Sequence, residues 1–359
     1  MPLETTYKTR LPLYGPLKIQ SLEAYLAESR ETFEERYTSD FPYVLEVNNF
    51  KFHYFLGEGA FGKVVLAEYK AFEGSFYAVK TIRKKLLVKN GQVKGALNEK
   101  RILQSLNNPF VIRLEYFAKD QSYIYYILPF ICAGEMYTHL KLWRKFEENV
   151  SRFYAAQVVL GLEYVHFLGL VFRDLKPENL LIDHHGYLKI TDFGFAKKLN
   201  GRTYTFCGTP DYIAPEIITG QGYGKAVDWW SMGVLVFEMN SGYQPFISNE
   251  QLKKFTNITK CQYVMPSVFS GELKDLINHL LQTDVTKRFG NLKRGVEDIK
   301  EHAWFKNIDW LELLNRRVAS PYVPKDAETV SHKYFPGLKP KSSWNVSSYP
   351  EFTEQFEEF

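Results

Sequence analysis

The chain has 359 residues, 45% hydrophobic and 24% charged. This composition excludes disorder, collagen and coiled coil as the main state and, at roughly 150 residues per domain, allows about two packing units. Forty-five Lys and Arg against 41 Asp and Glu leave a formal charge of +4, too small an excess for a dedicated nucleic-acid or membrane-surface binder.

The first residues, MPLETTYKTRLPLYGPL, contain no apolar signal-peptide core, and the richest apolar stretch, 158–172, is interrupted by Glu163 and His166, well short of a membrane span. Pro2 and the terminal Phe359 offer no lipidation signal. Cys132, Cys207 and Cys261 form no CxxC pair and are odd in number, which argues against a zinc site or a secreted disulfide framework and for a reducing compartment. A soluble cytoplasmic protein without a membrane anchor is expected, with the nucleus also open to it.

In chain order, LEAYLAESRETFEERY (22–37) places Leu22, Tyr25 or Leu26, Phe33 and Tyr37 near one face, the pattern of an amphipathic helix. From 50 to 131 the runs FKFHYFL, KVVLAEY, SFYAVKTI and SYIYYIL predict a sheet-rich unit with a single helix, GALNEKRILQSL. Long helical runs follow Gly134, so a boundary is expected near 129–135. The reading is an α+β, two-lobed chain: a leader over 1–49, a β-rich lobe over 50–129, a hinge over 129–135, a mostly helical lobe over 136–305 and a Pro-punctuated tail over 306–359.

Gly57-Glu-Gly-Ala-Phe-Gly62 matches GxGxxG. A dinucleotide site needs a helix directly after the glycines, whereas KVVLAEY favours a strand, so a glycine hairpin over phosphates is the expectation. Lys80 lies in the apolar strand AVK. Glu99 shares a helical face with Leu103 and Leu106 and turns a carboxylate toward the same core. An unpaired buried charge is costly, so Lys80 and Glu99 are expected to pair, with the ammonium in reach of the phosphates.

The segment from Phe172 to Gly194 is the most informative. LLI and YLKI read as two antiparallel strands joined by DHHG, and residues just outside the ends of such a hairpin approach one another. Asn179 and Asp192 are therefore expected as neighbours, two hard oxygen ligands suited to Mg2+, with Asp174 on the entering loop. Together FRDLKPEN, DFG (192–194) and APE (214–216), in order after GxGxxG and AVK, resemble the protein kinase signature set.

The resemblance implies that Asp174 is the catalytic base and that Lys176 stabilises the transferring phosphoryl group. Asn179 and Asp192 would hold Mg2+, and Lys80, oriented by Glu99, would grip the α and β phosphates of ATP. It further implies an ATP pocket drawn from Gly57, Gly59, Phe61, Gly62, Val64, Ala78, Pro129, Ile131 and Glu135. Phe172 stands where His or Tyr is usual and is expected to pack. A fold kept as a non-catalytic scaffold is the alternative from another class.

LNEKRIL, RFYAAQ, TDFGFAK, KAVDWW and VTKRFGNL extend the resemblance over roughly 22–359 to the AGC family, and within it to the catalytic subunits of cyclic AMP-dependent kinases. Another basophilic AGC kinase or the kinase part of a cyclic GMP-dependent enzyme is the runner-up. The resemblance makes Thr205 the activation-loop phosphosite, meeting Arg173 and Lys197. Gly95 stands where the relatives place a histidine that also touches this phosphate, so coupling to the Glu99 helix is expected to weaken.

Glu135, Glu178 and Glu238 would pair with arginines two and three residues upstream of the acceptor in protein substrates. Phe206, Pro210 and Ile213 would form an apolar pocket for the residue after the acceptor. Asp211 replaces a usual Glu. Phe356 and Phe359 would be buried against the small lobe, Tyr334 or Phe335 would approach the adenine, and Ser347 or Ser348 is a possible tail phosphosite. The 50 or so residues before the kinase unit are too few for a fused sensor, so control is expected from a separate cyclic-nucleotide-binding regulatory subunit.

Overall fold

The alternating runs after residue 50 become strands because each buries one face, and together they make a six-stranded antiparallel sheet in the order β10-β1-β2-β3-β5-β4. The computed structural model describes residues 18–59, 62–325, 332–340 and 354–359. The strands are β1 (Phe50–Gly59), β2 (Gly62–Tyr69), β3 (Phe76–Arg83), β4 (Tyr116–Lys119), β5 (Tyr123–Pro129) and, from the tail, β10 (Lys339–Pro340).

Two helices, α2 (Lys84–Lys89) and α3 (Val93–Ser105), accompany this sheet, which corrects the expectation of one. The six residues of KKLLVK, three of them lysines, are too few for a helical period to show. The predicted leader helix is α1 (Leu22–Thr38), capped by Ser21, with Tyr25, Leu26 and Phe33 buried.

The second lobe is mostly helical. It holds α4 (Met136–Trp143), α5 (Glu148–Phe167), α6 (Pro215–Ile218), α7 (Ala226–Ser241), α8 (Gln251–Thr259), α9 (Gly271–Leu280), α10 (Glu297–Lys300) and α11 (Trp310–Leu314), with the short strands β6 (Leu170–Val171), β7 (Leu180–Ile182), β8 (Leu188–Ile190) and β9 (Lys197–Lys198). The architecture is α+β and bilobal, with α5 and α7 running almost wholly buried through the larger lobe.

The tail is more ordered than its prolines suggest. β10 joins the edge of β1, opposing Tyr54 and Phe55, and Phe356 and Phe359 are buried against the small lobe, where Phe359 stacks on Phe117 at 6.3 Å. Lys84 Nζ lies 5.1 Å from the Phe356 ring centroid and Lys119 Nζ donates to its carbonyl at 3.1 Å. No helix among the described residues is long and apolar enough to cross a membrane.

Candidate active site

The site is built where the sheet meets the β7–β8 hairpin. On β3, Ala78 and Lys80 share a face, and Val64 of β2 is the cross-strand partner of both Gly57 and Lys80. A Cβ on Gly62 would lie 1.6 Å from the Thr81 carbonyl oxygen, so this glycine is required by the approach of β2 to β3. A Cβ on Gly57 would meet nothing within 4 Å, so packing does not explain that glycine. Phe61 lies outside the described residues, as do Ser347 and Ser348.

Lys80 donates to Glu99 Oε1 at 2.6 Å and to Asp192 Oδ1 at 3.2 Å. Burial alone would lower its pKa, but the two carboxylates reverse this and hold the ammonium above its ordinary value. Burial raises the Glu99 carboxyl, with Lys80 pulling the other way. Lys80 chiefly holds the Asp192 carboxyl below its usual range. Asp192 has φ 61°, a left-handed conformation uncommon outside glycine, and it starts the turn that sends Phe193 into the core against Phe172, ring centroids 5.0 Å apart.

Strands β7 and β8 pair Leu180 with Ile190, and the Thr191 amide donates to the Asn179 carbonyl at 2.9 Å, so Asn179 and the segment entering Asp192 flank the open end of one hairpin. Asn179 Nδ2 donates to both the carbonyl and Oδ2 of Asp174, each at 2.8 Å. Both amide hydrogens are thus used and Oδ1 is the remaining ligand atom. Asp174 is buried. Lys176 lies 2.9 Å from its Oδ2, and Thr209 donates to its Oδ1 at 2.8 Å. An amide oxygen and the Asp192 carboxylate, itself held by Lys80, are the kind of oxygen donors that suit a hard divalent cation.

Several contributors escaped the sequence reading. Asp228, fully buried in α7, accepts from the Phe172 and Arg173 amides at 2.9 and 2.8 Å and pairs with His166 at 2.7 Å, fixing the loop before Asp174. Its signal was an aspartate inside the apolar run KAVDWW. Glu216 of APE makes a buried bidentate pair with Arg288 at 2.7 and 3.0 Å. Thr209 carried no signal.

The segment around Thr205 shows what Lys197 and Arg173 bond in the unphosphorylated chain. Thr205 is exposed, but Lys197 Nζ donates to Thr203 Oγ1 at 3.1 Å, and Arg173 donates to the Phe195 carbonyl at 2.7 Å and to the Tyr223 hydroxyl at 3.2 Å. In this state both cations serve neighbours of Thr205. Phe206 is exposed and reaches Phe255 at 6.4 Å, Pro210 is exposed and Ile213 is buried, so the three do not present one uniform apolar surface. Asp211 pairs with Lys254.

The hinge places Pro129 at the end of β5 and buries Ile131, whose N–H has no hydrogen-bond partner among the described residues. Phe335 stacks on Phe130 at 5.6 Å, whereas Tyr334 is buried on His139 at 5.1 Å. Both tail aromatics thus lie against 129–135, Phe335 by its ring on Phe130 and Tyr334 by its backbone beside Gly134.

The three acids converge. Glu178 raises the carboxyl pKa of both Glu135 and Glu238, after partial burial as the larger cause in each, and Glu238 is pushed up to about 7. Glu238 accepts from Tyr212 and from Gln244, the latter at 2.6 Å. Glu178 Oε2 is buried without a hydrogen-bond partner among the described residues. Elsewhere, Asp275, His279 and His302 cluster, but His302 Nδ1 accepts the Trp304 amide at 3.1 Å, so its Nε2 proton faces Asp275 at 2.8 Å and the group is a helix cap.

A protein kinase domain model matches residues 50–305. The chain is 42% identical over 334 residues to cAMP-dependent protein kinase catalytic subunit 2 of Drosophila melanogaster, covering 91% of this chain and 94% of that protein. It is 44% identical over 269 residues to cAMP-dependent protein kinase type 3 of Saccharomyces cerevisiae, covering 75% of this chain and 67% of that protein. With the Dictyostelium discoideum catalytic subunit the identity is 45% over 270 residues, 75% of this chain and 42% of the other. With a cleft of this geometry and similarity of this extent, the chain belongs to the protein kinase family and is a serine/threonine protein kinase.

Proposed function

We propose that this kinase transfers the γ-phosphoryl group of ATP to Ser or Thr hydroxyls preceded by arginines, as a catalytic subunit controlled by a separate cyclic-nucleotide-binding chain. In this reading 50–305 is the catalytic domain, hinged at 129–135, with 1–49 as leader and 306–359 as tail. Asp174 orients the acceptor hydroxyl and accepts its proton, its two oxygens aimed by Thr209, Asn179 and Lys176. Lys176 supports charge on the moving phosphoryl group, and Lys80, oriented by Glu99, holds the nucleotide phosphates under Gly57, Gly59 and Gly62. Asn179 Oδ1 and Asp192 would hold Mg2+, which neutralises phosphate charge. Val64, Ala78, Pro129 and Ile131 would enclose the base, with the Ile131 N–H free to donate to it. A phosphate on Thr205 would redirect Arg173 and Lys197 from their present partners.

The observation that carries the substrate reading is the buried Glu178 Oε2, without a hydrogen-bond partner among the described residues, with a charge that acts on both Glu135 and Glu238. A carboxylate in that state is stabilised by a guanidinium that brings paired donors. The test compares kcat/KM on peptides with and without arginines two and three residues before the acceptor. The wild type is expected to favour the arginine peptide by about 10²-fold and Glu178→Gln to lose about tenfold of that preference, truncation of a buried charge pair costing ~2 kcal/mol or more. Equal preference in the two enzymes would remove the assignment.

A further inference from the structure

The turn of α3 expected to face the activation segment carries Gly95, where a Cβ would meet only the Gln92 side chain, 3.1 Å away. No side chain leaves α3 at this position. One turn later α3 does reach the segment after DFG: Asn98 Nδ2 donates to the Ala196 carbonyl at 3.0 Å. Asn98 directly precedes Glu99, and Ala196 lies two residues after Gly194. This one hydrogen bond therefore joins the segment bearing Glu99 to the segment bearing Asp192, the two carboxylates that share Lys80.

The amide of Asn98 has two possible faces, and the leader helix selects one. Tyr37 of α1 donates its hydroxyl proton to Asn98 Oδ1 at 3.0 Å. A rotated amide would set Oδ1 against the Ala196 carbonyl, two acceptors facing each other. The leader is itself fastened on both sides. Gln104 of α3 donates to the Arg36 and Ser39 carbonyls at the end of α1, at 2.6 and 2.9 Å. Lys198 of β9 pairs with Glu34 and lies 5.1 Å from the Tyr37 ring centroid. The Tyr25 hydroxyl donates to the Asn107 carbonyl at 2.7 Å.

We propose that Tyr37 and Asn98 are positioning residues for phosphoryl transfer: the leader hydroxyl orients the Asn98 amide, and that amide keeps the Glu99 and Asp192 segments in the register that Lys80 requires. The kinase needs its leader helix for turnover, through this relay.

The test uses the full chain and three variants, Tyr37→Phe, Asn98→Ala and the double. Turnover is expressed per ATP-binding site, together with peptide KM and melting temperature. Each single variant is expected to lower kcat by about 3- to 10-fold, the loss of one hydrogen bond, with peptide KM within about twofold, since the substrate cleft is untouched. The double is expected to lose no more than Asn98→Ala alone, because the two act in series. A purely structural role would lower the melting temperature and leave kcat per binding site unchanged. That result, or losses that multiply in the double, overturns the proposal. Should Asn98→Ala fail to fold, Tyr37→Phe decides alone: it keeps the ring beside Lys198 and removes only the hydroxyl, and unchanged turnover in it refutes the relay.

Discussion

Glu238 gives a prediction in which stability and function move in opposite directions. Its carboxyl is buried beside Tyr212 and Gln244 with the charges of Glu178 and Asp211 nearby, and its pKa rises from the ordinary 4.5 to about 7. For an acid raised in the folded state, the stabilising protonated form is fully present below the unfolded value and is lost as pH rises through the folded one. Between 4.5 and about 7 this costs the charged form about 3 kcal/mol at pH 8. Glu238→Gln removes that cost and disturbs one neutral contact worth about 1 kcal/mol, for a net gain of about 2 kcal/mol at pH 8. The expected rise in melting temperature is about 3 °C at pH 8, at roughly 2.1 cal/mol/K of unfolding entropy per residue over 359 residues, and near zero at pH 5, where the wild-type acid is already protonated. Thermal melts of both proteins at the two pH values, with no peptide present, are the assay. In parallel, KM for a two-arginine peptide should rise in the variant. A melting-temperature change equal at the two pH values, or a loss at pH 8, would refute the electrostatic argument.

Other outcomes follow from the same geometry. Asp174→Asn should lower kcat by about 10²–10⁴-fold while leaving ATP affinity, read by calorimetry, within a few-fold. Arg288→Met leaves Glu216 as an uncompensated buried charge and should cost about 3–5 kcal/mol in urea unfolding, with less loss in the Glu216→Gln, Arg288→Met double. Phe356→Ala should cost about 3–5 kcal/mol, seen as earlier unfolding of the small lobe by hydrogen exchange on β4 and α3. Gly62→Ala forces a methyl to within 1.6 Å of the Thr81 oxygen and should raise KM for ATP several-fold; an unchanged KM would show that β2 gives way without cost.

Much of this site was legible because its chemistry is local in sequence. The DHHG turn and the flanking strands bring Asn179 near the Asp192 segment by antiparallel geometry alone, and a half-buried lysine and a core-facing glutamate on β3 and α3, with only the short α2 between them, have few partners besides each other. What stayed hidden depended on distance along the chain. Arg288 reaches Glu216 across 72 residues, and Asp228 caps the Phe172–Arg173 backbone from a helix 55 residues on. Neither sequence window names the other end. The tail misled for a different reason. Prolines break periodicity, so the two-residue strand β10 left no repeat to read, whereas the burial of Phe356 and Phe359 was expected from the resemblance. The present partners of Lys197 and Arg173 reflect competition among hydroxyls and carbonyls only ångströms apart, which no pattern of residue types resolves.

The pairing of β10 with β1 bears on where this molecule can be cut. A bare β1 would expose a row of amides and carbonyls over Tyr54 and Phe55, an edge on which a second copy can template itself. At the other end, the Asn315 side chain bonds both the amide and the carbonyl of Ile19, at 2.9 and 2.8 Å, so that residues 296 positions apart are knitted like adjacent strands. The segment matched as catalytic domain is therefore smaller than the cooperative folding unit, and an excised 50–305 fragment would be a sticky, self-associating species rather than a minimal enzyme.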